Sequence, residues 1–438
     1  MSKDASPKNK SFMDKFTDFA MKIASPLAKF AEFPVIAAVQ DGLIAVMPII
    51  MIGSIFLIFY VLGSPSIGTS GKPLIGFLAP FASKFIVMNS LTMNFMAFYA
   101  ALTISMSYGE KLEVEEKTAA VLGIGTFLIF TINGVFEGQI SVASFSAGGL
   151  FVAILTSIMS VKIYKIFIDK DIRIKLPESV PPNIGNAFSA LIPYLVIFTI
   201  AWTIRTILNF DMVAWLSTVL QPYISAADNV YVYTLYRFLT NLLWAAGLHG
   251  DNMLGPIFTP FTTMWLQENA AAMQAGLPMP HIWTYQGIER ITHWPATVWP
   301  LIFLMLTSKV KHLRTLGLVA LAPGIFTIVE PVVYGLPIAF NPFLIIPFIL
   351  VGVIAAIISY LAVSLGFIGK FFASLPWATP PFILGPAATG DWKTIILIAL
   401  VFIIGLIAYY PFFKMYENSI LEKERSETEI KLISKDDK

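Results

Sequence analysis

The sequence predicts an all-α polytopic membrane protein with about ten transmembrane helices. Of its 438 residues, 57% are hydrophobic and only 13% charged, whereas soluble domains carry about 25% charged residues. Mean hydropathy is +0.76. The apolar residues come in uncharged runs, at 42–62, 85–109, 118–136, 179–204, 331–369 and 394–413, and most of these reach the roughly 20 residues a helix needs to cross a bilayer core. This excludes an ordinary water-soluble enzyme. A net charge of +2 gives no sign of nucleic-acid binding. The absence of Cys excludes disulfides, iron–sulfur clusters, zinc–thiolate sites and any cysteine nucleophile or phosphocysteine on this chain. No cofactor or metal is implied. The lysine-rich, polar N-terminal stretch does not read as a signal peptide.

The expected spans are about 36–62, 90–108, 118–136, 149–168, 187–208, 229–247, 294–308, 342–365 and 394–413. Lys and Arg cluster in residues 1–30, at Lys162, Lys165, Lys170, Arg173 and Lys175, at Lys309, Lys311 and Arg314, and from Lys414 onward. Such clusters mark the cytoplasmic side, so both termini and the 162–175 loop are expected inside. An even number of crossings follows, which needs one more, near 74–89 or within 253–275. The basic stretch 162–185 separates plain apolar spans from a second half interrupted by Pro, Gly and polar residues at membrane depth. Broken backbone is tolerated there only where it is buried in protein or lines a cavity, and transporters place substrate sites at such breaks.

Two breaks stand out. In the first, Arg237, Asn241 and Trp244 share a helix face at i, i+4 and i+7, and Gly247 and Gly250 bracket His249 before Asp251, Asn252, Pro256 and Pro260. His249 either hydrogen-bonds or deprotonates a substrate hydroxyl, or it caps helix carbonyls while Arg237 snorkels to the interface. In the second, Glu330 stands alone between long uncharged runs. An acid at the bilayer centre costs about 2.5–3.5 kcal/mol even on lenient scales. Pro331 stops the preceding helix and suits the start of a new one, which puts Glu330 at a helix start. A bound hydroxyl or an ion pair with His249 or Arg237 would each offset the cost. A third stretch, Ser374–Pro386, holds Trp377 and Thr379 in a Pro-rich break. Trp377 either stacks on a sugar's C–H face or belongs to the interfacial belt. Glu289–Arg290 and His293–Trp294 are weaker candidates, since a surface ion pair explains the former, and most other Trp read as packing or lipid-facing residues. The charged C-terminal tail reads as a solvated or helical extension.

These blocks resemble the sugar-translocating membrane component, enzyme IIC, of the bacterial phosphoenolpyruvate-dependent phosphotransferase system, and specifically its lactose/cellobiose/diacetylchitobiose family. The match is carried by Asp41–Ser54, by Leu176–Pro182 with Phe188–Pro193, by Gly247–Leu248–His249–Gly250, by Glu330–Pro337 with Asn341–Pro342, and by Trp377–Pro380. It runs from about residue 30 to 415. It implies a homodimer in the plasma membrane with a cytoplasmic segment at 1–30, a dimerising transmembrane domain at 31–175, a substrate-transport domain with two re-entrant hairpins at 176–415 and a cytoplasmic tail at 416–438. It also implies that His249 and Glu330 hold a disaccharide near its 6-hydroxyl; either could serve as base, and Trp377, Trp244, Asn241, Arg237, Gly250, Asn252 and Thr379 of the three breaks are the further candidates for the substrate site. Thr327, Val329 and His293–Thr297 depart from the family, which often has Asn, a polar residue and a Gly-rich stretch there. In this family the phosphoryl group arrives on a Cys of component B, itself supplied by component A. A chain without Cys implies that B is a separate protein. The competing expectations are an ion-coupled secondary transporter, with Glu330 and His249 binding protons, and an intramembrane enzyme. The latter is weakened by the lack of a Walker loop, HExxH or GxSxG.

Overall fold

A computed structural model describes residues 12–64, 72–132, 143–177, 180–336, 338 and 341–436. Glu178, Ser179 and Pro337 of the sequence blocks lie outside the described residues. Among those described, secondary structure is helical throughout. Six helical runs are long and apolar enough to cross a membrane: Pro34–Gly63, Gly76–Lys111, Ala147–Asp169, Ile184–Ile207, Ile345–Ser364 and Thr394–Ser426. Large apolar side chains such as Phe59, Leu195, Leu350 and Ile407 lie exposed along them, as lipid contact requires and water does not tolerate. The chain is a multi-pass membrane protein.

In chain order the first helices are α1 (Phe12–Ala31), α2 (Pro34–Gly63), α3 (Ala82–Thr92), α4 (Met96–Lys111), α5 (Glu116–Thr131), α6 (Leu150–Asp169) and α7 (Pro182–Trp202). Helix α4 sits among α2, α5 and α6, and α7 packs on α5 and α6. Small residues let these backbones meet: a Cβ at Gly42 would lie 2.7 Å from the Ile104 Cα, and one at Gly123 would lie 1.7 Å from Ser105 Oγ. Of the two stretches offered for the extra crossing, 74–89 runs on into α4 within the Gly76–Lys111 run, and 253–275 falls almost wholly within the helix Gly250–Gln274.

The second half comprises α8 (Met212–Ala227), α9 (Val230–Ala245), α10 (Gly250–Gln274), α11 (Ile288–Thr297), α12 (Trp299–Leu306), α13 (Lys311–Ile325), α14 (Glu330–Gly335), α15 (Ile345–Ser364), α16 (Pro381–Thr389) and α17 (Thr394–Asp436). Helix α15 packs on α9, α11 and α17, while α10 bridges α9 and α2. The expected single span at 294–308 is broken. Pro300 has no N–H for the Ala296 carbonyl, the chain turns at Val298, and Gly405 of α17 approaches the Ala296 oxygen where a Cβ would come within 2.1 Å of it. Helix α1 lays Ala20 against Leu242 of α9 and Ala246 just past its end. The tail is a helical extension, since α17 continues to Asp436.

The stretch 369–376 has no regular structure and is buried at 371–374, so its backbone there needs partners elsewhere. Asn269 donates to the Phe371 carbonyl at 2.8 Å, Ser54 Oγ accepts from Ser374 N at 2.9 Å, and Asp391 accepts from Gly369 N at 3.1 Å. The Asn269 amide also clasps the backbone of His281. The His281 ring, stacked on Trp265, lies between two carboxylates: Nδ1 is 3.2 Å from Asp228 Oδ2 and Nε2 faces Glu268 Oε2. Lys370, held by the Met279 and Pro280 carbonyls, and the Tyr360 hydroxyl complete the cluster.

His281 lies in the connection from α10 to α11, outside the six apolar runs. Burial alone would lower its pKa, but hydrogen bonding to Asp228 and Glu268 outweighs burial and raises it. A raised folded value contributes stability in full below about 6.5, the unfolded histidine value, and loses it as pH rises through the folded value. Thermal unfolding in detergent from about pH 6 to about pH 9 should therefore show a falling Tm for the native chain. His281→Gln should lower the Tm at the acidic end and flatten the dependence. An unchanged slope in the variant would disprove the assignment.

Candidate functional site

Both sequence breaks are helix ends closed by the same backbone device. Helix α9 stops with Gly247 at φ 79°. Leu248 N bonds the Leu243 carbonyl at 2.9 Å and Gly247 N bonds that of Trp244 at 3.0 Å, the paired bonds that satisfy a helix's last carbonyls. Helix α13 ends the same way, with Ile328 N to Pro323 O and Thr327 N to Gly324 O, each at 3.0 Å. Here the left-handed position is Thr327 at φ 60°, a strained conformation for a β-branched residue, worth of order 1–3 kcal/mol. The Thr327 hydroxyl donates to the Trp377 carbonyl at 3.4 Å, which helps hold it there. Each end delivers a candidate: His249 as the N-cap of α10 and Glu330 as the first residue of α14.

His249, Glu330, Trp377, Trp244 and Asn252 line one cavity, with Asp251, Glu289, Arg290, Trp283 and Trp294. Gln40, Ile44 and Met47 of α2 form its opposite wall. It encloses about 270 Å³, near the lower end of the roughly 300–1,000 Å³ of small-molecule sites. His249 Nδ1 accepts from Asn252 N at 3.2 Å, so in the neutral ring the proton sits on Nε2, which becomes a donor. The ring packs 4.3 Å from that of Trp244. Glu330 is exposed, and among the described residues its carboxylate has no hydrogen-bond or ion-pair partner. The expected alternative of an ion pair with His249 or Arg237 is thereby corrected.

Arg237 does not snorkel. It is 2% exposed and its Nη1 lies 3.1 Å from Asp251 Oδ1, while Trp244 Nε1 donates to Asp251 Oδ2 at 2.9 Å. Arg237 thus stands behind the cavity wall and acts through Asp251. Asn241 and Gly250 leave the cavity for close packing. A Cβ at Gly352 would fall 1.7 Å from Asn241 Nδ2, so Asn241 lies flat on α15, and a Cβ at Gly250 would meet the Thr240 carbonyl at 2.3 Å. Thr379 also stays out, its amide closing a turn onto Pro376 O. Glu289–Arg290 is not a surface ion pair. Glu289 Oε2 and Arg290 Nε are buried and unpartnered, both residues line the cavity, and Arg290 Nη2 donates to the Trp377 carbonyl. His293 is buried behind Trp294 and does not line it. The signal that could have weighted this pair more heavily was a charged doublet set directly between Ile288 and Ile291, in a stretch flanked by Trp283 and Trp294.

Removing one partner of a buried pair leaves the other charge uncompensated, at a cost of roughly 3–5 kcal/mol. Asp251→Ala should fall at the lower end of that range, because Asp251 is 33% exposed. The double variant Arg237→Met with Asp251→Leu should recover most of the loss in chemical unfolding. A double variant as unstable as the single would show that the two residues do not act as a pair.

Three comparisons bear on this geometry. The family described as "Phosphotransferase system, EIIC" matches residues 40–352. The PTS system cellobiose-specific EIIC component of Geobacillus stearothermophilus is 32% identical over 95% of this chain and 98% of its own length. The PTS system lactose-specific EIICB component of Streptococcus mutans is 30% identical over 88% of this chain and 70% of its own. Among solved structures, the transporter ChbC, the IIC component from the N,N'-diacetylchitobiose-specific phosphotransferase system, superposes with a TM-score of 0.84 at 32% identity, covering 93% of this chain and 99% of that one. The chain therefore belongs to the EIIC family of the phosphotransferase system, as its Gly247–Gly250 and Glu330–Pro331 blocks suggested.

Proposed function

We propose that this chain binds a β-linked disaccharide of the cellobiose or chitobiose kind and carries it across the plasma membrane for phosphorylation at the 6-hydroxyl by a separate component B. The observation that carries this is the pairing, in one cavity of an EIIC chain, of an unpartnered Glu330 carboxylate with the His249 Nε2 donor. A hydroxyl is both donor and acceptor. It can give its proton to Glu330 and take a hydrogen bond from His249. That division of labour makes Glu330 the base and His249 the positioning donor, because His249 Nδ1 is occupied by Asn252 N. Trp377, 50% exposed at the mouth, offers a face to a sugar ring, and Trp244 buttresses His249.

The wider assembly in this reading is a homodimer with about ten crossings and both termini cytoplasmic. Residues 31–175 form the dimerising domain and 176–415 the transport domain. The break at 246–249 and the turn at 326–329, leading into α14, would serve the two re-entrant hairpins. The EIICB relative carries its B component on the same chain, which supports a B partner here. Component A would recharge B.

Vesicles containing the chain should accumulate cellobiose only as the phosphate ester, and only with phosphorylated B supplied. Uptake of free sugar driven by an ion gradient would favour the secondary-transport reading instead. Glu330→Gln should reduce phosphorylation by about 10²–10⁴ in protein that still purifies folded. Transport falling only in proportion to folded protein would make Glu330 structural. For Trp377, binding titrations should show Phe milder than Ala; equal losses would indicate an interfacial role.

A further inference from the structure

Arg290 carries a charge that nothing in the cavity neutralises at contact distance. Among the described residues no carboxylate oxygen lies within 4.0 Å of it, although Glu289 is its neighbour in sequence and Asp251 lines the same space. The second guanidinium nearby, Arg237, is matched by Asp251 at 3.1 Å. Arg290 instead gives Nη2 to the Trp377 carbonyl and lies 6.0 Å from that ring's centroid, and its Nε is buried without a partner. A carbonyl and an aromatic face orient a guanidinium but supply no counter-charge, and a buried unmatched cation is costly. Sugar hydroxyls do not supply one either. A phosphoryl group does, and its oxygens fit the planar fork of Arg.

The position suits that chemistry. The Trp377 carbonyl that receives Arg290 also receives the Thr327 hydroxyl, in the turn that leads directly into Glu330. One carbonyl thus ties the cation to the segment bearing the acceptor base. The wall of α2 in the cavity is its residues Gln40–Met47, the part near its start at Pro34, so the site lies towards the membrane face read as cytoplasmic, from which B would approach.

We propose that Arg290 is a catalytic residue that binds the phosphoryl group in flight, an inference that rests on the phosphorylation reading above. The sugar 6-oxygen attacks phosphorus of the phosphocysteine of B. The O–P bond forms as the S–P bond breaks, the electron pair leaves on the cysteine Sγ as thiolate, and the hydroxyl proton passes to Glu330. Charge builds on the equatorial phosphoryl oxygens, where Arg290 stabilises it. The neutral sugar, before B arrives, makes little demand on this cation.

The test separates binding from transfer in reconstituted chain, using radiolabelled cellobiose and phosphorylated B. Arg290→Gln should weaken cellobiose binding by no more than about threefold, while single-turnover phosphoryl transfer falls about 1,000-fold. Arg290→Lys should fall between. Free guanidinium ion should restore part of the transfer in Arg290→Ala and have no effect on the native chain. Loss of cellobiose binding in step with transfer would overturn the assignment and make Arg290 a sugar contact; so would undiminished transfer in Arg290→Gln. If Arg290→Gln does not fold, binding and transfer in Arg290→Lys decide by the same split. A native chain that moves cellobiose without ever phosphorylating it would overturn the functional reading first, and this assignment with it, an outcome distinct from any of the variants' results.

Discussion

Every polar feature of this molecule answers one constraint: in a protein surrounded by lipid, backbone groups freed by a broken helix must find partners inside. The two breaks that matter are closed by paired bonds from the residues after the helix onto its last carbonyls, around Gly247 and around Thr327. The extended stretch 369–376 is held by Asn269, Ser54 and Asp391. Once those bonds are made, the residues just past each helix end point their side chains into the space the break leaves. His249, Glu330 and Trp377 share a cavity because three separately satisfied breaks meet there.

Charge follows the same rule with a different result. Arg237 and Asp251 neutralise one another's charge, with Trp244 closing the carboxylate's second oxygen and Arg237 Nε buried without a partner, so this pair builds the wall. Glu330, Glu289 and Arg290 have no such mutual contacts. A functional group in a low-dielectric site must be left unmatched in the resting protein if it is to be matched by ligand or transition state. The division between matched and unmatched ions therefore separates scaffold from chemistry more cleanly than membership of the cavity does.

What could be seen in the sequence was local. Gly247 and Gly250 around His249 announced a helix end, and Pro331 announced a helix start at Glu330, because those residues act through their own backbone. The apolar runs gave α2, α6, α7, α15 and α17 for the same reason. What could not be seen was pairing at a distance. A shared helix face grouped Arg237, Asn241 and Trp244, yet that face meets three different neighbours: Asp251, the α15 backbone at Gly352 and the cavity. Periodicity gives a face but not what opposes it. Glu289–Arg290 was misjudged because a charged doublet reads as solvated unless the flanking tryptophans are known to close over it. The break at Val298 was in principle legible from Pro295 and Pro300, but the apolar count of 294–308 outweighed them.

The unmatched set also constrains the ligand independently of any relative. Buried and without partners are Glu289 Oε2 and Gln286 Oε1, which need donors, and Arg290 Nε, which needs an acceptor. Each such atom costs about 1–3 kcal/mol if left dry and unpaired. An apolar ligand would leave all of these costs in place, and a simple cation or anion would answer only one sign. A molecule whose surface alternates hydroxyl donors and acceptors with C–H faces answers Glu289 Oε2, Gln286 Oε1 and the rings of Trp244, Trp283, Trp294 and Trp377 together, and leaves Arg290 for the phosphoryl group. That combination of needs is the physical case for a sugar, and it comes from the cavity's own atoms.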